Sequence, residues 1–218
     1  DTTGGLTPTL VGETGPLSGT AALAVSGAQL YAADGAGGLR LIDVSEPLTP
    51  TAVAVFDTPG SARGLVLDGT TAFVADDARG LRVIDLGSTP FTETAALDLP
   101  SAAGSVAVSD TFAYVGDYYY GAGASEGLGA FRVVDISQPA TPTQIGLLPM
   151  AERVVGIALR GSYAYLANDA DGLQILDVGD PARPQRVGDH PTFKLATDVV
   201  LGEQIAYVTA GNGGRGRG

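Results

Sequence analysis

Few side chains in this 218-residue sequence could carry out catalysis or hold a metal ion. The chain contains one histidine, His190, and no cysteine. A Ser-His-Asp triad would have to use His190, and sites built from several histidines or from thiolates are excluded. The sequence also lacks the motifs of nucleophile elbows, phosphate loops and dinucleotide-binding turns. We therefore expect His190 to have a structural role at the end of a strand.

Carboxylates are the most numerous groups that could bind a cation. The sequence NDADG, residues 168–172, resembles part of a calcium-binding loop and makes Asp169 and Asp171 candidate ligands. It lacks the further spaced aspartate and the distal glutamate of the full pattern. We predict that the protein has no cofactor and no metal, with calcium at this loop as the alternative.

Another group of aspartates recurs in a repeated phrase. Because the same residue stands in every complete copy, a turn role is favoured over a catalytic one. Aspartate before such a turn can accept hydrogen bonds from backbone N–H groups and hold the corner between two strands. These residues are Asp43, Asp85, Asp135 and Asp177.

Three consecutive tyrosines lie in a loop that is longer than its counterparts. Asp117 and Asp135 are 18 residues apart, whereas Asp76 and Asp85, the equivalent pair, are nine apart. Exposed tyrosine offers contact area and a polar hydroxyl, as at many interfaces, and loops carry binding residues more often than scaffolds do. We predict that a partner binds here, through Tyr118, Tyr119, Tyr120 and Glu126. The alternative is that one or two of these rings pack back onto a neighbouring repeat.

All of these residues belong to an internal repeat. The phrase GLRLIDVSEP at residues 38–47 returns as GLRVIDLGSTP at 80–90 and as GLQILDVGDP at 172–181. Alignment on this phrase divides a single predicted domain, residues 1–218, into five units. The units are residues 6–47, 48–89, 90–139, 140–181 and 182–218.

The hydrophobic pattern within each unit has the two-residue period of β-strands. Short alternating segments separated by about two residues predict hairpins, and each unit contains four such segments. Four strands per unit are typical of a β-propeller blade, and the small residues of the first strand suit a crowded central channel. We predict an all-β propeller of four-stranded antiparallel blades, with about five repeats. An aromatic column is expected to be buried between blades, at Tyr31, Phe73, Tyr114, Tyr165 and Tyr207.

The phrase GLRLIDVSEP and strands such as AFVAD resemble the LVIVD repeat, a family of propeller proteins in bacteria and archaea that are often extracellular. The resemblance extends from Leu6 to about Gly213, and four units match the strand motif well. It implies a propeller fold and exposure at the cell surface. It implies no particular reaction.

The fifth unit lacks the third strand of its blade. In addition, the segment PTLVGET at residues 8–14 is predicted to be a strand of the fourth type. Either the protein is a five-bladed ring with a gap in its closing blade, or it is part of a longer propeller. We favour the longer propeller, because an unfilled strand position leaves backbone groups unpaired.

Charge excludes several classes of partner. The net charge of −12 argues against binding to nucleic acid and to anionic lipid surfaces. No apolar run reaches the length of a membrane span. In a propeller the loops after the second strands share one face, so an acidic collar is expected there. Its residues would be Asp34, Asp76, Asp77, Asp169 and Asp171.

Together these features favour a non-enzymatic binding or structural module of a secreted or cell-surface protein that contacts a protein or a carbohydrate. An enzyme is the first alternative, either a hydrolase or a lyase that uses carboxylates or calcium on the acidic face. An accessory subunit of a membrane-associated assembly is the second alternative.

Overall fold

The computed structural model describes residues 10–119 and 129–211. All the described elements are β-strands. Within these ranges, no helix has the length and apolar character needed to cross a bilayer. The strands form five antiparallel sheets, which we number as blades 1–5 in chain order. Blades 1–4 have four strands each, and two strands of blade 5 are described.

Each complete blade places its strands side by side in the order in which they occur in the chain. Blade 1 consists of β1 (Ala22–Ser26), β2 (Gln29–Ala33), β3 (Leu39–Asp43) and β4 (Thr51–Phe56). Blade 2 consists of β5 (Gly64–Asp68), β6 (Thr71–Ala75), β7 (Leu81–Asp85) and β8 (Thr92–Leu97). Blade 3 consists of β9 (Ala102–Ser109), β10 (Phe112–Tyr118), β11 (Gly129–Asp135) and β12 (Thr143–Met150). Blade 4 consists of β13 (Gly156–Arg160), β14 (Tyr163–Ala167), β15 (Leu173–Asp177) and β16 (Gln185–His190). Blade 5 contains β17 (Leu195–Leu201) and β18 (Ala206–Gly211).

Two-residue turns join the first and second strands, as the spacing predicts. Each turn of blades 1–4 begins with a residue of positive φ, namely Gly27, Gly69, Asp110 or Gly161. A two-residue hairpin needs this conformation because its twist must match that of the flanking strands. Glycine, and less readily aspartate, adopts it at low cost.

The repeated aspartates at the ends of the third strands hold the next turn, which confirms their predicted role. Asp43 Oδ1 accepts a hydrogen bond from the N–H of Ser45 at 2.8 Å. The same bond recurs from Gly87 to Asp85, from Ser137 to Asp135 and from Gly179 to Asp177. These backbone hydrogen bonds lower the pKa of Asp43 and of Asp135 below the ordinary value.

The hydrophobic core lies between successive blades rather than within one. We call the face that a blade presents to the next blade its trailing face, and the opposite face its leading face. Between blades 1 and 2, Tyr31 and Leu41 of the trailing face pack with Val74, Ile84 and Phe91 of the leading face. Similar clusters join blade 2 to 3, blade 3 to 4 and blade 4 to 5. The predicted all-β fold with propeller blades is therefore confirmed.

The aromatic column follows this pattern, with one exception. Tyr31, Phe73 and Tyr114 are at most 5% exposed, and Tyr165 packs partly buried against blade 5. Tyr207 is 60% exposed, so the prediction that it is buried is wrong. Tyr207 lies on the trailing face of blade 5, and no described blade follows to cover it.

A second prediction fails at the beginning of the described chain. The predicted fourth-type strand covers residues 8–14, but residues 10–14 have no strand structure. Leu10 is 83% exposed.

Candidate functional site

The first strands of the blades lie side by side around a central channel. β1, β5, β9, β13 and β17 contact one another in that order. They enclose a cavity of about 730 Å³ whose lining includes residues of all five blades. Small residues allow the close approach, since a Cβ built on Gly64 would lie 3.0 Å from Ser105 Cα. The small residues of the first strands therefore serve the role that the sequence indicates.

The wall of this channel exposes polar and apolar groups in similar measure. Ser105 Oγ donates to Val154 O at 3.0 Å, and Asp198 Oδ1 accepts from the N–H of Val199 at 2.8 Å. Asp198 is the one carboxylate among the described residues that line the cavity. Among the described residues, the lining of the channel thus has no second carboxylate to form the pair that most glycosidases use.

A smaller cavity of about 150 Å³ lies at the channel mouth, on the face of the loops after the second strands. Its lining is Arg63, Gly104, Tyr118, Arg153 and Val155. Arg63 Nε lies 3.0 Å from Asp77 Oδ2, and Arg153 Nη2 lies 2.5 Å from Asp169 Oδ2. The two arginine side chains are 46% and 43% exposed. The mouth thus combines a tyrosine with two half-exposed ion pairs.

The predicted acidic collar has a different role from the one expected. Asp34 and Asp76 follow the second strands of blades 1 and 2 and are fully buried. Their carboxylates accept hydrogen bonds from the backbone of the connection that leads into the same blade, including one from Gly60 N to Asp76 at 2.9 Å. Asp117, in the equivalent place in blade 3, accepts from Ser101 Oγ in that connection. These side chains hold loops in place, because a buried carboxylate requires hydrogen-bond donors.

Arginines on the third strands complete this arrangement, and they are not among the site residues predicted from the sequence. Arg40 Nε donates to Asp34, Arg132 Nε donates to Asp117, and Arg82 Nε lies 3.8 Å from Asp76. The available signal was a polar residue at the same place in each apolar third strand, as in GLRLID, GLRVID and AFRVVD. A buried cation in a repeat implies a repeated buried anion.

The same aspartate has opposite electrostatics in blades 1 and 2. Burial disfavours the charged form of Asp34, but hydrogen bonds from Ser18, Gly19, Thr20 and Arg40 outweigh it and lower the pKa. At Asp76 burial dominates and raises the pKa. One of its oxygens, Oδ1, has no hydrogen-bond partner. The balance between burial and hydrogen bonding therefore decides the direction of the shift.

The remaining collar residues pair with cations or with the backbone. Asp77 and Asp169 have positive φ, and backbone hydrogen bonds join them to Ala103 and Ala196 of the following blades. Asp169 is 6% exposed and bonded to Arg153. The N–H of Asp171 donates to Asn168 O within the turn. Among the described residues, no three His, Cys, Asp or Glu side chains come together in a group that could hold a metal ion.

The repeat that positions these residues matches a known family model over most of the chain. The LVIVD repeat model matches residues 19–58, 59–90, 100–147 and 153–192. The chain belongs to the LVIVD repeat family. Each match includes the buried aspartate or asparagine and the third strand of one LVIVD blade. No curated protein matches the sequence.

Solved structures resemble the row of LVIVD blades at low sequence identity. The computationally designed Ika8 protein matches with a TM-score of 0.67 and 11% identity, over 89% of this chain and 56% of that one. The designed Ika4 protein matches with a TM-score of 0.60 and 17% identity, over 80% of this chain and 100% of that one. A functionally unknown protein from Desulfotomaculum acetoxidans matches with a TM-score of 0.66 and 14% identity, over 88% of this chain and 62% of that one. The LVIVD chain thus spans little more than half the length of the first of these, and the likeness concerns the fold.

The tyrosine loop of the third LVIVD blade is only partly described. Tyr118 is the last residue of β10 and is 6% exposed, so the expectation of an exposed ring is wrong for this residue. A Cβ on Gly104 would lie 2.9 Å from the Tyr118 ring, which shows why glycine stands there. Tyr119 is 52% exposed. Tyr120 and Glu126 lie outside the described residues.

His190 ends β16 of the fourth LVIVD blade. It pairs with Leu173, as Phe56 of blade 1 pairs with Leu39, so the predicted strand-end position is confirmed. It lies outside the lining of both cavities.

Proposed function

We propose that this chain is a non-enzymatic binding module of a secreted or cell-surface protein and that its partner binds at the channel mouth. One observation carries the proposal. Tyr118, Arg63 and Arg153 line a cavity there, and the exposed Tyr119 follows directly in the chain. An aromatic side chain beside hydrogen-bond donors at the edge of a pocket is a common arrangement in binding sites.

The charges at the mouth favour a neutral polar partner. The carboxylates of Asp77 and Asp169 pair with arginines, so they neutralise the cations rather than attract further ones. Guanidinium groups have several N–H donors and suit hydroxyl or carbonyl oxygens. Tyrosine stacks on the apolar face of a sugar or packs against a peptide. A carbohydrate or a neutral peptide segment therefore fits this mouth better than a basic peptide.

The proposal is tested by screening the purified protein on carbohydrate and peptide arrays and measuring the dissociation constant of a hit by calorimetry. Tyr119→Ser should weaken that binding about thirtyfold, since an interface anchor contributes about 2 kcal/mol. Thermal stability should remain unchanged, because the Tyr119 side chain is 52% exposed.

Tyr163→Ser is the matched control. Tyr163 is 43% exposed and begins β14, at the opposite end of the blade from the channel mouth. The Tyr163→Ser variant should bind the same ligand as tightly as the wild type does. Unchanged binding by Tyr119→Ser, or an equal loss in both variants, contradicts a site at the mouth.

A further inference from the structure

Three buried side chains in blade 2 each have one polar atom that has no hydrogen-bond partner among the described residues. The atoms are Asp76 Oδ1, Arg82 Nε and Thr58 Oγ1. Asp76 is fully buried, and Thr58 and Arg82 are 4% and 6% exposed. A buried polar atom without a partner costs free energy, so such atoms are rare in folded proteins. Three of them in one blade need a partner that the described side chains do not supply.

The three atoms lie around one carboxylate. Arg82 Nε is 3.8 Å from Asp76 Oδ2, which is too long for a hydrogen bond. Burial raises the pKa of Asp76 and the nearby Thr58 hydroxyl opposes this shift, yet that hydroxyl forms no hydrogen bond with the carboxylate. Polar groups separated by more than about 3.5 Å are commonly linked through a water molecule.

Blade 3 fills the same place with a side-chain hydroxyl. Ser101 Oγ donates to Asp117 and accepts from Arg132 Nη2 at 3.0 Å, so it links the carboxylate to the guanidinium. The equivalent residue in blade 2 is Gly60, since both residues lie 16 positions before the buried aspartate. A Cβ on Gly60 would lie 2.2 Å from Asp76 O, so this position cannot supply a side chain. Another small hydroxyl-like group has to take its place.

The Arg82 guanidinium is directed towards two other acceptors. Its Nη2 donates to Arg79 O at 2.5 Å and to Asp98 Oδ1 at 2.6 Å. The corresponding arginine of blade 1, Arg40, donates with its Nε directly to the buried aspartate at 2.5 Å. Arg132 of blade 3 also donates directly with its Nε. The gap between arginine and aspartate is therefore particular to blade 2 among blades 1–3.

We propose that blade 2 contains a binding site for one buried water molecule, between Asp76 Oδ1, Arg82 Nε and Thr58 Oγ1. The chemistry of these atoms selects water over an ion. A guanidinium N–H is a donor and cannot coordinate a metal cation, and the carboxylate disfavours an anion. Water accepts from Arg82, donates to Asp76 and forms a third bond with the Thr58 hydroxyl. Buried waters typically make about three hydrogen bonds of this kind.

A crystal structure of the wild-type chain that resolves ordered water tests the site directly. It should show one water within about 3.2 Å of all three atoms. Blades 1 and 3 of the same crystal are the internal controls, and no water should separate arginine Nε from aspartate there. A direct hydrogen bond from Arg82 Nε to Asp76 would overturn the proposal. A density peak at metal-ligand distances of about 2.0–2.6 Å would also overturn it.

Oxygen-17 relaxation dispersion of water tests the site in solution, because it counts the water molecules that remain inside the protein for longer than its rotation. Thr58→Val removes one of the three partners, and the count should fall by one. Thr58→Ser keeps the hydroxyl and should keep the wild-type count.

Thr70→Val is the matched control for these variants. Thr70 is exposed in the turn between β5 and β6, so loss of its hydroxyl should leave the count unchanged. Circular dichroism establishes that each variant is folded, and the wild-type crystal structure decides the question should Thr58→Val fail to fold. An unchanged count in Thr58→Val, or an equal loss in Thr70→Val, contradicts the site.

Discussion

In blades 3 and 4, the residues that follow or end the second strand at equivalent positions differ in charge. In blade 3, Asp117 is buried and pairs with Arg132, whose Nη1 donates to Gln144 on the outer strand. In blade 4 the equivalent residue is Asn168, whose Nδ2 donates to Glu152 O and Arg153 O at 2.8 and 3.0 Å.

Arginine and glutamine also exchange places between the third strand and the outer strand of the two blades. Blade 4 has Gln174 on its third strand, and Arg186 on the outer strand donates to it at 3.2 Å. Gln144 and Arg186 have the same register, because they pair with Val134 and Leu176 respectively. The arginine is thus buried beside the second strand only where an aspartate is available. Burying a charge without its counterion costs several kcal/mol, so a buried arginine on the third strand requires an aspartate at the end of the second strand.

Removing the carboxylate from blade 3 should have the largest effect. Asp117→Ala leaves Arg132, which is 7% exposed, without its anion, and should lower the free energy of unfolding by about 3–5 kcal/mol. The triple variant Asp117→Asn, Arg132→Gln and Gln144→Arg recreates the pattern of blade 4 and should lose less than half as much. Urea denaturation followed by circular dichroism measures both. A triple variant as unstable as Asp117→Ala would show that the pattern of blade 4 depends on its own surroundings.

Blades 1 and 2 extend the comparison to pH. Asp34 has a lowered folded-state pKa, so it contributes stability above the ordinary aspartate pKa and loses it as the pH falls through the folded value. Asp34→Asn should therefore cost about 2 kcal/mol at neutral pH, through its hydrogen bonds, and progressively less in acid. Asp76 has a raised pKa, so its ionised form opposes folding at neutral pH, and protonation relieves this as the pH falls. Asp76→Asn should lose no stability at neutral pH.

Unfolding curves measured from neutral to acidic pH test this contrast, with each variant compared with the wild type at the same pH. Arg82 retains Asp98 as a partner when Asp76 is neutralised, at 2.6 Å. Equal losses in Asp34→Asn and Asp76→Asn at neutral pH would contradict the opposite pKa shifts of the two carboxylates.

The turn aspartates should give the smallest effect. Asp43→Ala removes one acceptor for the N–H of Ser45, which water can replace at this solvent-accessible corner. The melting temperature should fall by less than that of Asp34→Asn, and Asp43→Asn, which keeps a side-chain oxygen, should lie between Asp43→Ala and the wild type. A loss as large as that of Asp34→Asn would contradict the distinction between buried and exposed aspartates.

The sequence predicted the features that depend on neighbouring residues. Alternation with period two, two-residue turns and an aspartate two residues before the N–H that it binds all act over a few positions, so each repeat shows them again. The amino-acid sequence alone therefore predicts the five-unit repeat, the blade topology, the turn role of Asp43 and the strand-end position of His190.

Tertiary structure decided which of these residues are buried and what they bind. Asp34 and Asp76 resembled an exposed collar, but their donors lie about sixteen positions earlier in the chain. Tyr118 and Tyr119 are adjacent, and only the extension of β10 places the first ring against Gly104 and leaves the second in solvent. Tyr207 has the same local pattern as Phe73, yet it is exposed because burial in this fold requires a following blade. A repeated sequence determines each blade, whereas the environment of a residue depends on the blade beside it.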